Sequence, residues 1–160
     1  IRSYLAAVQE HIPGSELAFC ENRAADSVIG FYCTLAQREN IPFSLKIDLP
    51  QRLPVDDIDL CLVLSNVLEN ALEASRKAGA GRHMEIAAYV YAENMVLIQV
   101  INAYSGEIRR VHSVFQSSKR PGDGVGLQSV RRIAEINGGA ATFSFADGIF
   151  TARIMLRGKD

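Results

Sequence analysis

The sequence lacks several features that would place it at once. No apolar run reaches the ~18–20 residues needed to span a bilayer, and no signal peptide is visible. No charge of one sign dominates. The 17 Lys and Arg against 18 Asp and Glu leave a net charge of −1, which gives no bulk electrostatic reason to expect nucleic acid or an acidic membrane surface as partner. Cysteine is scarce: Cys20, Cys33 and Cys61 are far apart and form no C-x-x-C, as suits small buried hydrophobes in a reducing compartment. His11, His83 and His112 have no ligand spacing, so neither residue type points to a metal centre. Repeats and low-complexity tracts are missing, and so is the phosphate loop G-x-x-x-x-G-K-[ST].

What is present is an ordinary globular composition, 48% hydrophobic and 22% charged over 160 residues, enough for one domain with one sizeable core. The chain starts at Ile1 without a Met, directly in helix-like sequence. It is expected to be a fragment of a longer protein, with any membrane anchor lying upstream.

Local patterns suggest the order of elements. Ile1 to about His11 reads as a short helix stopped by Pro13-Gly14. A second helix is expected from near Arg23 to Glu39, with Asn22 as N-cap and Ala25, Val28, Ile29, Tyr32, Leu35 and Ala36 at helical spacing. Pro42 to Leu49 alternates as a half-buried strand. After a loop bracketed by Pro50 and Pro54, Asp56 or Asp57 opens a third helix running to roughly Lys77. Strands follow at Met84–Tyr91 and Met95–Ile101, joined as an antiparallel hairpin. Asn102 to about Asp123 shows no period, and so long a stretch in a small domain suggests a functional lid or a missed element. A fourth helix from Gly124–Val125 ends at Asn137-Gly138-Gly139, and a hairpin turning at Asp147-Gly148 closes the chain. The predicted fold is an α/β two-layer sandwich with a mixed sheet of about five strands and helices on one face.

Three segments carry candidate chemistry. In the third helix Leu60, Cys61, Leu64, Val67, Leu68, Ala71 and Leu72 share a broad apolar face, while Asn66, Glu69, Asn70, Glu73 and Lys77 lie opposite. A polar helix face is ordinarily just solvated. Asparagine, however, is a mediocre helix former, up to ~0.7 kcal/mol worse than Ala, and two of them one turn apart gain nothing from exposure. A carboxamide oxygen is a hard ligand suited to Mg²⁺, which takes few protein ligands and completes its shell with phosphate and water. The second segment, Gly122-Asp123-Gly124-Val125-Gly126-Leu127, is glycine-rich and leads into a helix, so backbone N–H groups can approach a phosphate; a flexible linker reads equally well. The third, Val96 to Asn102, is an apolar strand ending in an amide at the mouth of the long loop, where Asn is also a common turn residue.

In this order the segments resemble the GHKL ATPase superfamily over residues 18–157, most closely the histidine-kinase branch and, within it, the Agr-like quorum-sensing kinases. Asn66-Val67-Leu68-Glu69-Asn70-Ala71 looks like the N box of that family. Ile101-Asn102-Ala103 with Gly106 stands at its first glycine box, and Val114-Phe115 with Ser117-Ser118-Lys119 resembles its lid motif. Gly124-Val125-Gly126-Leu127 resembles its second glycine box. The resemblance implies an ATP-binding Bergerat-type fold with a flexible ATP lid. It further implies that Asn70 binds the Mg²⁺ bridging the ATP phosphates, and that Asn66 contacts phosphate one turn away. Asn102 would stand where an aspartate usually accepts from the adenine amino group. Gly124 and Gly126, with Leu127, would bring backbone N–H groups to phosphate, and Lys119 would be a charge partner from the lid. Asn102 departs from the usual aspartate. Its amide oxygen still accepts a hydrogen bond but carries no charge, which lowers the expected affinity. The Agr-like branch carries the same Asn.

Hydrolysing members of the superfamily place a glutamate one turn before the Mg²⁺-binding Asn, to activate water. Asn66 stands there instead and cannot take a proton. A site that holds ATP without activating water favours transfer to another nucleophile, and phosphoryl transfer is mostly positioning and charge neutralisation. The expected activity is therefore protein-histidine kinase, within a two-component system. Residues 1–12 would end a dimerisation helix and residues 13–160 form the catalytic domain. The acceptor histidine is expected upstream, in a homodimeric, membrane-anchored sensor whose catalytic part is cytoplasmic and whose partner is a response regulator; no nucleic-acid partner is expected. The chain alone should bind ATP with negligible autophosphorylation. Two rival readings stand beside this: a serine kinase of the anti-sigma-factor type, distinguished by the sequence upstream, and an interaction module with a decayed nucleotide site, distinguished by ATP-analogue titration.

Overall fold

In the computed structural model the described residues are 19–92, 94–105, 108–111, 114–117 and 125–158. The expected helix at Ile1–His11 and the boundary at residue 12 lie outside them.

The first helix, α1 (Arg23–Arg38), starts where the sequence places a cap. Asn22 is extended, and its side chain accepts from the Ala25 N–H at 2.8 Å, satisfying one of the free donors of a helix start. Its buried stripe is Ala25, Ile29, Tyr32, Cys33 and Ala36. Strand β1 (Phe43–Asp48) leads through Leu49 to α2 (Asp57–Ala78), capped by Asp56, whose carboxylate accepts from the Ile58 N–H at 3.1 Å. A 3₁₀ turn (Gly79–Gly81) precedes β2 (Met84–Val90) and β3 (Met95–Ala103). Two short strands, β4 (Ile108–Val111) and β5 (Val114–Ser117), pair as a separate antiparallel hairpin. Helix α3 (Val125–Ile136) and the hairpin β6 (Ala140–Ala146) and β7 (Ile149–Arg157) complete the chain.

The main sheet has five strands in the order β1-β2-β3-β7-β6; only β1 and β2 run parallel. A parallel neighbour needs a crossover, and α2 is that crossover. One face of the sheet is covered by the helices. Across it Leu45, Ile86, Val100, Ala152 and Phe143 are register partners, and the neighbouring row runs Ala88, Ile98, Ile154 and Ala141. Against these rows α2 buries Leu60, Val63, Leu64, Val67, Leu68, Ala71 and Leu72. Each fully buried leucine contributes about 1.5–3 kcal/mol of transfer free energy, so α2 is fixed in rotation as well as position.

The long aperiodic stretch after Asn102 is corrected by the structure. β3 continues to Ala103, and β4 and β5 fall within what the sequence leaves blank. Residues 118–124, where the sequence reading expects part of the lid, are outside the described residues. The closing hairpin turns as its sequence predicts, with Asp147 at φ 54° and Gly148 at φ 76°, the left-handed pair of a tight two-residue turn. Gly139 is required for another reason. A methyl group there would collide with the backbone carbonyl of Met155, where the chain leaving α3 passes against β7.

Candidate functional site

Burying the apolar stripe of α2 leaves Asn66 and Asn70, one turn apart, half-exposed on its other side. The Asn66 amide nitrogen donates to the Leu62 carbonyl one turn back at 2.9 Å, so the oxygen is the free end. That oxygen faces the start of α3: a methyl group added to Gly126 would lie 3.2 Å from it. Two segments sixty residues apart in sequence therefore meet, and glycine gives the closest approach. Asn70 has no hydrogen-bond partner among the described residues, which leaves its whole amide available to a ligand.

Helix α3 begins at Val125, so the N–H groups of Gly126 and Leu127 lie in its first turn, where donors have no partner within the helix and the dipole favours an anion. Leu127 differs from a direct ligand in one respect. Its side chain is buried in the core, so only its backbone is placed to contact a ligand. Gly124 and Lys119 lie outside the described residues, as does Gly106.

Asn102 is at the end of β3 on the helix-facing side, level with Met84 and Phe150, and only 1% exposed. Its amide nitrogen donates to the Ala103 carbonyl at 2.9 Å. Its oxygen accepts from no group among the described residues, a buried acceptor of the kind that ordinarily has a partner. The strand exit is fastened on both sides: Ser105 Oγ donates to the Lys77 carbonyl at 2.7 Å near the end of α2, and the Tyr104 N–H donates to the Gly148 carbonyl at 2.7 Å. These contacts hold Asn102 beside the helix that carries Asn66 and Asn70.

Sequence reasoning missed the flank of this helix that meets α1. Tyr32 of α1, 7% exposed, donates its hydroxyl to Glu69 Oε1 at 2.9 Å. Burial, then the contact with Glu69, pushes the phenol well above the usual tyrosine range. Further along the same seam the Arg76 guanidinium holds both Glu39 oxygens at 2.7 and 2.8 Å, which lowers the Glu39 carboxyl. Residues 37 positions apart leave no local signal of such pairing. Among the described residues no group of His, Cys, Asp and Glu could by itself hold a metal ion, so any cation here would rest on amide oxygens and its own ligands.

The family profile described as "GHKL domain" matches residues 55–157, which span α2, the sheet from β2 onward and α3. The chain belongs to the GHKL domain family. A sensor histidine kinase, HprS of Escherichia coli K12, is 26% identical over 141 residues, covering 84% of this chain. The chain spans 30% of the length of that relative. Among solved structures, the catalytic domain of the histidine kinase ThkA superposes with a TM-score of 0.65 at 22% identity, over 84% of this GHKL chain and 90% of that one. The mycobacterial sensor histidine kinase MprB gives 0.60 at 22%, covering 83% and 95% of the two chains. A histidine kinase from Burkholderia phymatum gives 0.65 at 19%, covering 99% and 76%. The five-stranded mixed sheet with helices on one face is thus the fold of histidine-kinase catalytic domains.

Proposed function

We propose that this GHKL domain is the ATP-binding catalytic domain of a sensor histidine kinase, transferring the ATP γ-phosphate to a histidine carried elsewhere in the full-length protein. The observation that carries the reading is the meeting of Asn66 with Gly126, which brings the polar face of α2 against the N-terminal turn of α3. Phosphates suit the free N–H groups of that turn. The buried oxygen of Asn102, which has no partner among the described residues, suits an N–H donor such as the amino group of adenine.

The amides fit Mg²⁺. Asn70 has no partner at either end among the described residues, and Asn66 presents an oxygen, which favours a cation over the phosphate oxygens expected from the sequence. When bound, the ion supplies charge neutralisation to the phosphates. The chain's own residues do the rest: Gly126 and Leu127 offer backbone donors, Asn102 orients the base, and no amide takes a proton from water. Transfer to a better-placed nucleophile is therefore favoured over hydrolysis.

The wider context belongs to the same proposal. The acceptor histidine, a dimerisation helix ending near residue 12, a homodimeric membrane-anchored sensor and a response-regulator partner are all consistent with the relative HprS being a sensor kinase. Asn102 in place of aspartate supports the Agr-like branch. The test is titration of the chain with a non-hydrolysable ATP analogue, with and without Mg²⁺, beside Asn70→Ala. Mg²⁺-dependent binding lost in the variant is the expected result. Equal binding by both proteins would overturn the assignment of Asn70, and no binding by either would overturn the nucleotide reading.

A further inference from the structure

Between the two site asparagines α2 carries a carboxylate for which the proposed reaction has no use. Glu69 lies about 60° round the helix from Asn66 and about 100° from Asn70, so a modest change of side-chain rotamer would turn it toward whatever those amides hold. A carboxylate beside bound phosphates is what hydrolysis needs, because it can take the proton that an attacking water must lose. In this structure it is turned away. The Tyr32 hydroxyl reaches across the α1–α2 seam and donates to Glu69 Oε1 at 2.9 Å. Tyr32 is itself held: it is 7% exposed and its ring packs edge-on against Phe31 at 5.1 Å.

We propose that Tyr32 is a positioning residue that keeps the Glu69 carboxylate on the α1 side of the seam and so sets transfer above hydrolysis at the neighbouring site. The inference rests on the nucleotide reading given above. The reaction held back is hydrolysis of ATP. A water oxygen bonds to the γ-phosphorus, the bond from that phosphorus to the bridging oxygen breaks, ADP leaves with the electron pair, and the water proton passes to Glu69. Burial, then the hydrogen bond to Glu69, holds the phenol well above the usual tyrosine range, in keeping with the hydroxyl acting as the donor in this pair.

The experiment measures phosphate release from saturating Mg²⁺–ATP by the whole chain, together with analogue binding, for wild type, Tyr32→Phe, Glu69→Gln and the double variant. Wild type and Glu69→Gln should hydrolyse equally slowly. Tyr32→Phe should release phosphate about tenfold faster or more, a fraction of what a well-placed base supplies. The double variant should return to the wild-type rate, with analogue affinity unchanged within about twofold throughout, since none of these groups holds the nucleotide. A purely structural role would instead weaken binding and hydrolysis together. Should Tyr32→Phe fail to fold, Tyr32→Leu with and without Glu69→Gln makes the same comparison. The proposal is overturned if the folded, nucleotide-binding Tyr32 variant hydrolyses no faster than wild type, or if its faster rate survives removal of the carboxylate. Absence of binding by the wild type is a separate result that removes the nucleotide reading itself.

Discussion

Asn102 shows how much one atom's partner decides. Its nitrogen donates to the Ala103 carbonyl, and its buried oxygen is left to accept. An aspartate there has no donor. One carboxylate oxygen would face the Ala103 carbonyl oxygen at hydrogen-bond distance in a site that is 1% exposed. Asn102→Asp should therefore not strengthen ATP binding by restoring the residue usual in the family. It should cost about 1–3 kcal/mol, read as a lower urea midpoint, and tighter ATP binding by this variant would refute the argument. Cys20 gives a second prediction at this scale. Burial, then the charge of Asp26, pushes its thiol from 9.0 to about 11. Below pH 9 the thiol is protonated in both folded and unfolded chains. Between 9 and 11 the unfolded thiol ionises first, so stability falls as pH rises through that window. At pH 8 its alkylation should be about a hundredfold slower than that of an ordinary thiol, as mass spectrometry after timed labelling can check. At this scale the sequence is informative where chemistry is local. Asn66 and Asn70 share a face because of helical periodicity alone, whereas the Tyr32–Glu69 bond depends on how two helices pack, which no local pattern records.

Elements were legible in proportion to their periodicity and their caps. α1 and α2 start within a residue of where Asn22 and Asp56 place them, because a short polar side chain accepting a free helix N–H is a strong local preference. β4 and β5 were not legible. Ile108–Val111 has two adjacent arginines between its apolar ends, and Val114-Phe115 puts two apolar residues side by side, so neither strand alternates. Asn22 does more than cap. Buried to 2% exposure, it also donates to the Gln51 carbonyl at 3.1 Å, tying the start of α1 to the loop before α2. Asn22→Ala removes the cap and leaves that carbonyl unpaired, at a combined cost of about 2 kcal/mol. For a domain of this size that is a fall in Tm of roughly 4–8 °C by calorimetry; an unchanged Tm would mean that water replaces both bonds.

At the scale of the whole molecule the site follows from topology. The parallel pair β1–β2 requires a crossover, the crossover is α2, and packing its apolar face on the sheet turns Asn66 toward the start of α3, with Asn70 one turn further along the same side of the helix. The ligand in this arrangement would bridge elements from three parts of the chain: α2, the end of β3 and the start of α3. A bridging ligand stabilises the folded state by mass action, since the unfolded chain offers no such set of groups. At a hundred times its dissociation constant, Mg²⁺–ATP should add about 2.7 kcal/mol, a rise in Tm of about 5–10 °C. Asn70→Ala has little to lose in the free protein, its side chain having no partner among the described residues, so its own Tm should hardly move while the ligand-induced rise disappears. That pairing separates a ligand-binding role from a structural one. A variant that melts several degrees lower without ligand, yet keeps the full rise with it, would place Asn70 in the framework and take the cation site elsewhere.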